Sequence, residues 1–235
     1  VAKAVEEYSP EHAAVLVMNP NTGEVYAMAD SPSFNANSPS DPTTVNTSDE
    51  FKASWDAMTN EEQLEYLMKS WRNFNISNTF EPGSIFKPMV VAAALEEGII
   101  SETDTYVCNG KKTVYDKTIG CWQRSGHGTE TLEDVLANSC NVAMMDIGEK
   151  MGRSLFYKYQ KDFGFGELTG IDLPGEEGTG STIMYAENAI GPVELATMSF
   201  GQSFNCTAIQ VLTAFSAVIN GGNLMQPYVV SKVID

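Results

Sequence analysis

One short segment, residues 81–98, constrains the fold more than any other part of the chain. It joins a Pro-Gly break to an apolar run that is rich in Ala, Val and Leu and that ends at Gly98. This pattern predicts a buried helix. Its start is expected to be irregular, because Pro88 disfavours a helical conformation at Lys87. Ser84 stands at the predicted beginning of the helix.

Ser84 and Lys87 are three positions apart, which places both side chains on one face of a helix. A serine hydroxyl becomes a strong nucleophile only when a base takes its proton. A lysine can be that base if burial lowers its pKa from about 10.4 towards neutrality. Ile85, Phe86 and Met89 provide apolar neighbours for such burial. Taken alone, however, Ser-x-x-Lys is more often an N-cap serine beside a surface lysine.

A second segment, Ser139-Cys140-Asn141, lies between helices predicted at residues 131–138 and 142–152. With the run Phe-Glu-Pro-Gly-Ser-Ile-Phe-Lys-Pro around Ser84, it resembles the class B penicillin-binding transpeptidases. The resemblance covers nearly the whole chain and is strongest to the division and sporulation enzymes of Gram-positive bacteria.

This resemblance implies an α+β fold of the penicillin-binding/β-lactamase type, in which an antiparallel sheet packs against a helical subdomain. It implies a serine D,D-transpeptidase that cross-links peptidoglycan stem peptides through an acyl-enzyme and that β-lactams inhibit. Ser84 would be the nucleophile and Lys87 its base. Ser139 would relay a proton, and Asn141 would hold Lys87 and a substrate amide. The chemistry needs no cofactor.

The Lys-Thr-Gly element of this family does not occur in the sequence. Residues 1–235 are therefore expected to form a partial transpeptidase domain, with the N-terminal strands and the helical region but without the C-terminal strands. No apolar run is long enough to span a bilayer. The resemblance implies an N-terminal membrane anchor outside this chain, an extracytoplasmic location, and a glycosyltransferase partner in the division or sporulation machinery.

Two other functions share the same Ser/Lys start. One is a β-lactamase, which would release its acyl group rapidly. The other is a non-catalytic β-lactam sensor, which would be acylated once. The formal net charge of -17 argues against nucleic acid as a partner, because phosphate binding needs clustered Lys and Arg.

Residues 106–128 contain three residues of the types that bind soft metals, namely Cys108, Cys121 and His127. A hairpin predicted between the two cysteines would bring their sulfurs together. Asp116 is the expected fourth ligand of a structural zinc site, and Asp104 or Cys140 is a weaker choice. Cys140 is instead expected to point into the core as a small apolar residue. A Cys108–Cys121 disulfide and a set of unpaired thiols remain as alternatives.

Periodicity and turn residues predict the remaining elements. A β-hairpin is expected from residues 13–18 and 24–29 around an Asn-Pro-Asn-Thr-Gly turn. Further helices are expected at residues 59–70, 153–163, 192–198 and 208–220, and a strand is expected to begin at 227–230.

Overall fold

The computed structural model describes residues 1–180 and 183–234. The α-helices are α1 Ala2–Tyr8, α2 Asp49–Ala57, α3 Asn60–Ser70, α4 Phe74–Ser77, α5 Lys87–Glu96, α6 Leu132–Ala137, α7 Asn141–Asp162, α8 Pro192–Met198 and α9 Ala208–Ile219. The strands are β1 Ala13–Met18, β2 Val25–Ser31, β3 Thr79–Phe80, β4 Thr105–Cys108, β5 Lys111–Val114, β6 Lys117–Gly120, β7 Gly128–Thr131 and β8 Cys206–Thr207. Helices and strands thus mix as the predicted α+β class requires.

The strands pair as four antiparallel ladders, β1–β2, β3–β8, β4–β7 and β5–β6. The predicted hairpin is confirmed in β1–β2, whose register pairs Val17 with Ala27. The strand predicted at 227–230 is wrong. Only Tyr228 bridges to Glu24, and the next two backbone N–H groups donate to the carboxylate of Asp172 at 2.7 and 2.8 Å. Because these backbone N–H groups donate to a side chain, they are not available to pair with a neighbouring strand.

The central helix α5 is preceded by a 3-10 turn, Gly83–Phe86, so its start is irregular as predicted. Lys87 itself is helical, with φ -55° and ψ -40°, so the expectation that Pro88 would keep it out of the α region is wrong. Tertiary contacts of the buried Lys87 side chain override that local preference. Residues on every side of α5 are buried, which is the behaviour of a helix that is apolar all round.

The prediction of two separate helices is confirmed, because α7, Asn141–Asp162, consists of two helical segments on either side of a kink. They meet at Gly152, whose φ of 72° breaks the helical geometry where the sequence suggested an end. The aromatic ring of Phe86 contacts those of Phe156, Phe165 and Phe204, with centroid distances of 6.1, 5.2 and 4.9 Å. The packing of Phe86 therefore anchors the 3-10 turn, which contains Ser84, to the main core.

The helices predicted from caps are also confirmed. Thr59 and Thr207 each form a capping box at the start of α3 and α9. Among the residues that the structure describes, no helix combines the length and the apolar character that a bilayer crossing needs.

Candidate active site

Ser84 is exposed on the 3-10 turn at the start of α5. The turn is held by a residue distant in sequence, because the N–H of Gly83 donates to the carbonyl oxygen of Gly201 at 2.8 Å. A Cβ atom added at Gly201 would overlap the backbone of Gly83, and Gly201 also has a positive φ of 85°. Glycine is thus required at position 201 if the Ser84 turn is to keep its place.

Ser139 lies in the junction between α6 and α7. Its φ is 52°, in the left-handed region, at the position where helices commonly end with glycine. The N–H of Cys140 donates to Val135 O at 2.9 Å, which closes the end of α6. A serine in this conformation is strained, and a strained residue at a site is a pointer to function.

The ammonium group of Lys87 contacts the α6–α7 junction directly. Its Nζ donates to the carbonyl oxygen of Ser139 at 2.7 Å, to Ser139 Oγ at 2.8 Å and to Asn141 Oδ1 at 2.8 Å. Ser139 Oγ in turn donates to Ser84 Oγ at 2.8 Å. The four polar residues that the sequence singled out are thus brought into one hydrogen-bonded set.

Lys87 is only 1% exposed and is one of the largest fully buried side chains that the structure describes. Burial lowers the pKa of Lys87 to about 8, against the opposing effect of the nearby Cys121, Cys140 and Glu130. At pH 7 about a tenth of such a lysine is neutral, which is far more than for a lysine in water. A neutral amine can accept a proton, so the set can deprotonate a hydroxyl near neutral pH.

The soft ligands also come together, although not in the predicted combination. Cys108, Cys121, His127 and Cys140 place one ligand atom each within 4.8 Å of one another. We call these four residues the Cys/His cluster. Asp116 lies outside it, in the two-residue turn between β5 and β6, where its exposed carboxylate is 3.6 Å from Lys117 Nζ.

The prediction that Cys140 points into the core is confirmed, since Cys140 is fully buried in the hydrophobic core. Its sulfur also lies in the Cys/His cluster, in the place where Asp116 was expected. The four cysteines are free thiols in the structure. The hairpin predicted between Cys108 and Cys121 is present as β5–β6.

Backbone donors surround the sulfur of Cys121. Burial alone would raise the pKa of the Cys121 thiol, but hydrogen bonds from the backbones of Asn141, Gln123 and Val142 lower it on balance. Asn141 and Val142 open α7, so a helix N-terminus points at this sulfur.

Sequence reasoning missed two residues that lie next to the proposed site residues. One is Gly201, which lies far along the chain from the turn that it supports and carries no local signal beyond a loop. The other is Glu130, a carboxylate that is 2% exposed beside the Cys/His cluster. Glu130 is the buried residue of β7, between the exposed Thr129 and Thr131, and the polar sequence Gly-Thr-Glu-Thr carries no apolar signal for this inward position.

The family model described as the penicillin binding protein transpeptidase domain matches residues 13–235. Stage V sporulation protein D of Bacillus subtilis (strain 168) is 39% identical over 99% of this chain and 32% of its own length. Peptidoglycan D,D-transpeptidase FtsI of Escherichia coli (strain K12) is 30% identical over 98% of this chain and 34% of its own length.

A solved structure, the apo transpeptidase domain of Burkholderia pseudomallei penicillin-binding protein 3, superimposes with a TM-score of 0.75 at 22% identity. The superposition covers 99% of this chain and 57% of the Burkholderia pseudomallei chain, which shows that the two share a fold. The chain spans about a third of the length of the curated relatives named above.

Proposed function

Because the chain belongs to the penicillin-binding protein transpeptidase domain family, we propose that it serves a serine D,D-transpeptidase that cross-links peptidoglycan stem peptides. The observation that carries the proposal is the hydrogen-bonded path from Ser84 through Ser139 to a buried Lys87. This path joins a nucleophile to a base whose pKa lies near neutrality, as covalent catalysis requires.

In the first step, Ser84 Oγ attacks the carbonyl carbon between the two terminal D-alanines of a stem peptide. Once Lys87 is neutral, the two hydrogen bonds of this path reverse, so that Ser84 donates to Ser139 Oγ and Ser139 donates to Lys87 Nζ. The Ser84 proton then passes to Ser139 Oγ, while the Ser139 proton passes to Nζ. The C–N bond then breaks, and the nitrogen of the departing D-alanine takes a proton back through Ser139. An ester between Ser84 and the stem peptide remains.

In the second step, an amine of a neighbouring stem peptide attacks this ester. A new amide bond forms, the bond to Ser84 Oγ breaks, and the amine proton returns to Ser84 through the same path. Asn141 keeps its Oδ1 on Lys87, while its amide N–H groups suit a carbonyl of the substrate. A β-lactam would acylate Ser84 in the same way and stay, because its leaving group remains tethered.

The test is covalent labelling of the intact protein by a fluorescent penicillin, followed by mass spectrometry of the labelled peptide. We expect one adduct, on Ser84, that is lost in Ser84→Ala. Ser101→Ala is the matched control, because Ser101 is an exposed serine that bonds only locally to Thr103. A wild-type protein without an adduct, or an adduct that survives Ser84→Ala, would refute the proposal.

The substrate also implies a location and a partner. Peptidoglycan lies outside the cytoplasmic membrane, so we infer that the domain works on the outer face of that membrane. Cross-linking needs newly made glycan strands, so we infer a glycosyltransferase partner. The similarity to a sporulation protein and to FtsI proteins supports a role in sporulation or division. Loss of spore cortex or of septal cross-links on deletion of the gene would separate these roles.

We further propose that the Cys/His cluster holds a structural zinc ion. Three thiols and one imidazole are the donor set of a closed tetrahedral zinc site. The fit rests on their mutual distances within 4.8 Å and on His127 Nε2, which is buried with no hydrogen-bond partner among the described residues. Cys140 lies between Ser139 and Asn141, so a bound ion would brace both residues. The acyl-transfer steps do not pass through it.

Metal analysis of the purified protein tests this second proposal. We expect about one zinc per chain in the wild type, and a strong loss in Cys121→Ser. Cys206→Ser is the control, because Cys206 is a fully buried free thiol that lies outside the Cys/His cluster. A metal-free wild type in which Cys108 and Cys121 are linked would favour the disulfide instead.

A further inference from the structure

The loop of residues 201–203 follows α8 and reaches the segment that carries the nucleophile. Its first two N–H groups donate to carbonyl oxygens in the last turn of α8, at 2.9 and 3.1 Å. These bonds fix the start of the loop to α8. A contact between the loop and residues 81–84 therefore also ties α8 to Ser84.

Ser203 in this loop has a backbone conformation that normally belongs to glycine. Its φ is 65°, in the left-handed region. Such a conformation is costly for a residue with a Cβ atom, and it persists only where the surroundings hold it. Two contacts hold Ser203. Its hydroxyl lies 2.8 Å from Thr197 Oγ1, and its backbone N–H donates at 2.7 Å to Oε1 of Glu81, which is 122 positions away in the sequence.

Glu81 lies three residues before Ser84, and its side chain is exposed. Its bond to Ser203 adds to the bond from the N–H of Gly83 to the carbonyl oxygen of Gly201. The two bonds join the same two segments in opposite directions, because the loop donates at one point and accepts at the other. One bond alone would allow the Ser84 turn to pivot, whereas two bonds also set its orientation.

We propose that Glu81 is a positioning residue for the nucleophile. Its carboxylate holds Ser203 in the left-handed conformation, which keeps the carbonyl of Gly201 in place to accept the N–H of Gly83. The turn that carries Ser84 is oriented in this way. The inference rests on the acyl transfer proposed above. Glu81 takes no part in the proton path, so position 81 has to supply only an oxygen that accepts a hydrogen bond.

The first test compares rates of labelling by a fluorescent penicillin. Glu81→Gln keeps an oxygen that can accept the Ser203 N–H, so it should label at close to the wild-type rate. Glu81→Ala removes the acceptor, and we expect its rate to fall about tenfold or more, because a small misplacement of the nucleophile is costly. Glu102→Ala is the matched control, since Glu102 is an exposed glutamate in the loop between α5 and β4.

A second pair of variants separates the strain at Ser203 from other effects of Glu81→Ala. Glycine adopts a positive φ without steric cost, so Ser203→Gly added to Glu81→Ala should recover most of the lost rate. Ser203→Ala added to Glu81→Ala should recover none, because alanine keeps the strain. Both changes remove the hydroxyl contact with Thr197, so their difference reports the backbone conformation alone.

Hydrogen exchange on the wild type keeps the proposal testable should Glu81→Ala fail to fold. We expect the N–H of Ser203 to exchange more slowly than in an unfolded chain. Unprotected exchange there, a wild-type rate in a folded Glu81→Ala, or an equal loss of rate in Glu81→Gln overturns the role of Glu81. Equal rescue by Ser203→Ala and Ser203→Gly does so too. A wild type that takes no label instead overturns the proposed acyl transfer, and the role of Glu81 with it.

Discussion

Lys87 and Ser139 contact each other twice, because Lys87 Nζ donates both to the backbone carbonyl and to the side-chain hydroxyl of Ser139, at 2.7 and 2.8 Å. The carbonyl contact fixes where the α6–α7 junction lies relative to α5. The hydroxyl contact links the amine to Ser84. The pair Lys87–Ser139 therefore sets both the position of the α6–α7 junction and the route of proton transfer. Measurements on variants can separate these two roles.

The rate of acylation by a penicillin should depend on the protonation of Lys87. Only the neutral amine can accept a proton, and burial places its pKa at about 8. We expect the rate constant to rise about tenfold per pH unit below that value and to level off above it. Stopped-flow labelling between pH 6 and 10 measures this profile.

Lys87→Met should remove the inflection and lower the rate by about 10² or more. The exposed Lys158→Met is the control for loss of a lysine charge, because Lys158 contacts Asp162 and the ring of Tyr159 on the surface of α7. The folded pKa of Lys87 is below its unfolded value, so the unfolded chain binds more protons between pH 8 and about 10.5. Stability relative to Lys87→Met should therefore rise with pH in that window. An inflection near 10.5 would contradict the assignment.

Replacement of Ser139 should separate backbone strain from chemistry. A left-handed conformation costs a non-glycine residue about 1–2 kcal/mol. Ser139→Gly removes that cost, so its free energy of unfolding should equal or exceed the wild-type value by up to about 1 kcal/mol. Ser139→Ala keeps the strain. Both variants lack the relay hydroxyl and should acylate about 10² or more slower.

Urea unfolding and penicillin labelling measure the two effects independently. If Ser139→Ala labelled at the wild-type rate, Lys87 would have to reach Ser84 without a relay. If Ser139→Gly were less stable than Ser139→Ala, the φ of 52° would not be a strained conformation.

The residues of the proposed catalytic set could be singled out from the sequence because they lie in two short segments. Ser84 and Lys87 lie within one turn, and Ser139 and Asn141 lie within one junction, so each pair is fixed by spacing alone. The resemblance of these short runs to a known family supplied the remaining step, which was that the two pairs meet. The structure adds that Ser139 Oγ lies between Lys87 and Ser84.

The fourth member of the Cys/His cluster could not be predicted in this way. Asp116 and Cys140 are both close enough in sequence, and the choice depends on the direction of one side chain. That direction follows from the α6–α7 junction and from packing against β4, which are tertiary features. The strand predicted near Tyr228 failed for a similar reason, because Asp172, distant in sequence, satisfies the N–H groups of Val229 and Val230.

Gly201→Ala should displace the nucleophile without touching it. The added Cβ would overlap the backbone of Gly83, so the turn that carries Ser84 has to shift. A misplacement of about 1 Å can cost about 10² in rate, and we expect a loss of that size in penicillin labelling. Gly222→Ala is the matched control, since Gly222 also has a positive φ, of 91°, but open space around it. Both variants should lose about 1 kcal/mol of stability from the positive φ. Gly201→Ala should lose more than Gly222→Ala because of the overlap, and only Gly201→Ala should lose labelling.

Removal of the metal should destabilise the region around Ser139. A structural zinc site contributes its binding free energy to folding, so a strong chelator should lower the melting temperature. A loss of about 3 kcal/mol corresponds to roughly 6–12 °C for a domain of this size. Differential scanning calorimetry with and without the chelator measures the shift. Cys121→Ser should melt at the lower temperature and ignore the chelator, whereas Cys206→Ser should respond as the wild type does. A wild type whose melting temperature is indifferent to a zinc-selective chelator, although it carries stoichiometric zinc, would mean that the ion does not brace the α6–α7 junction.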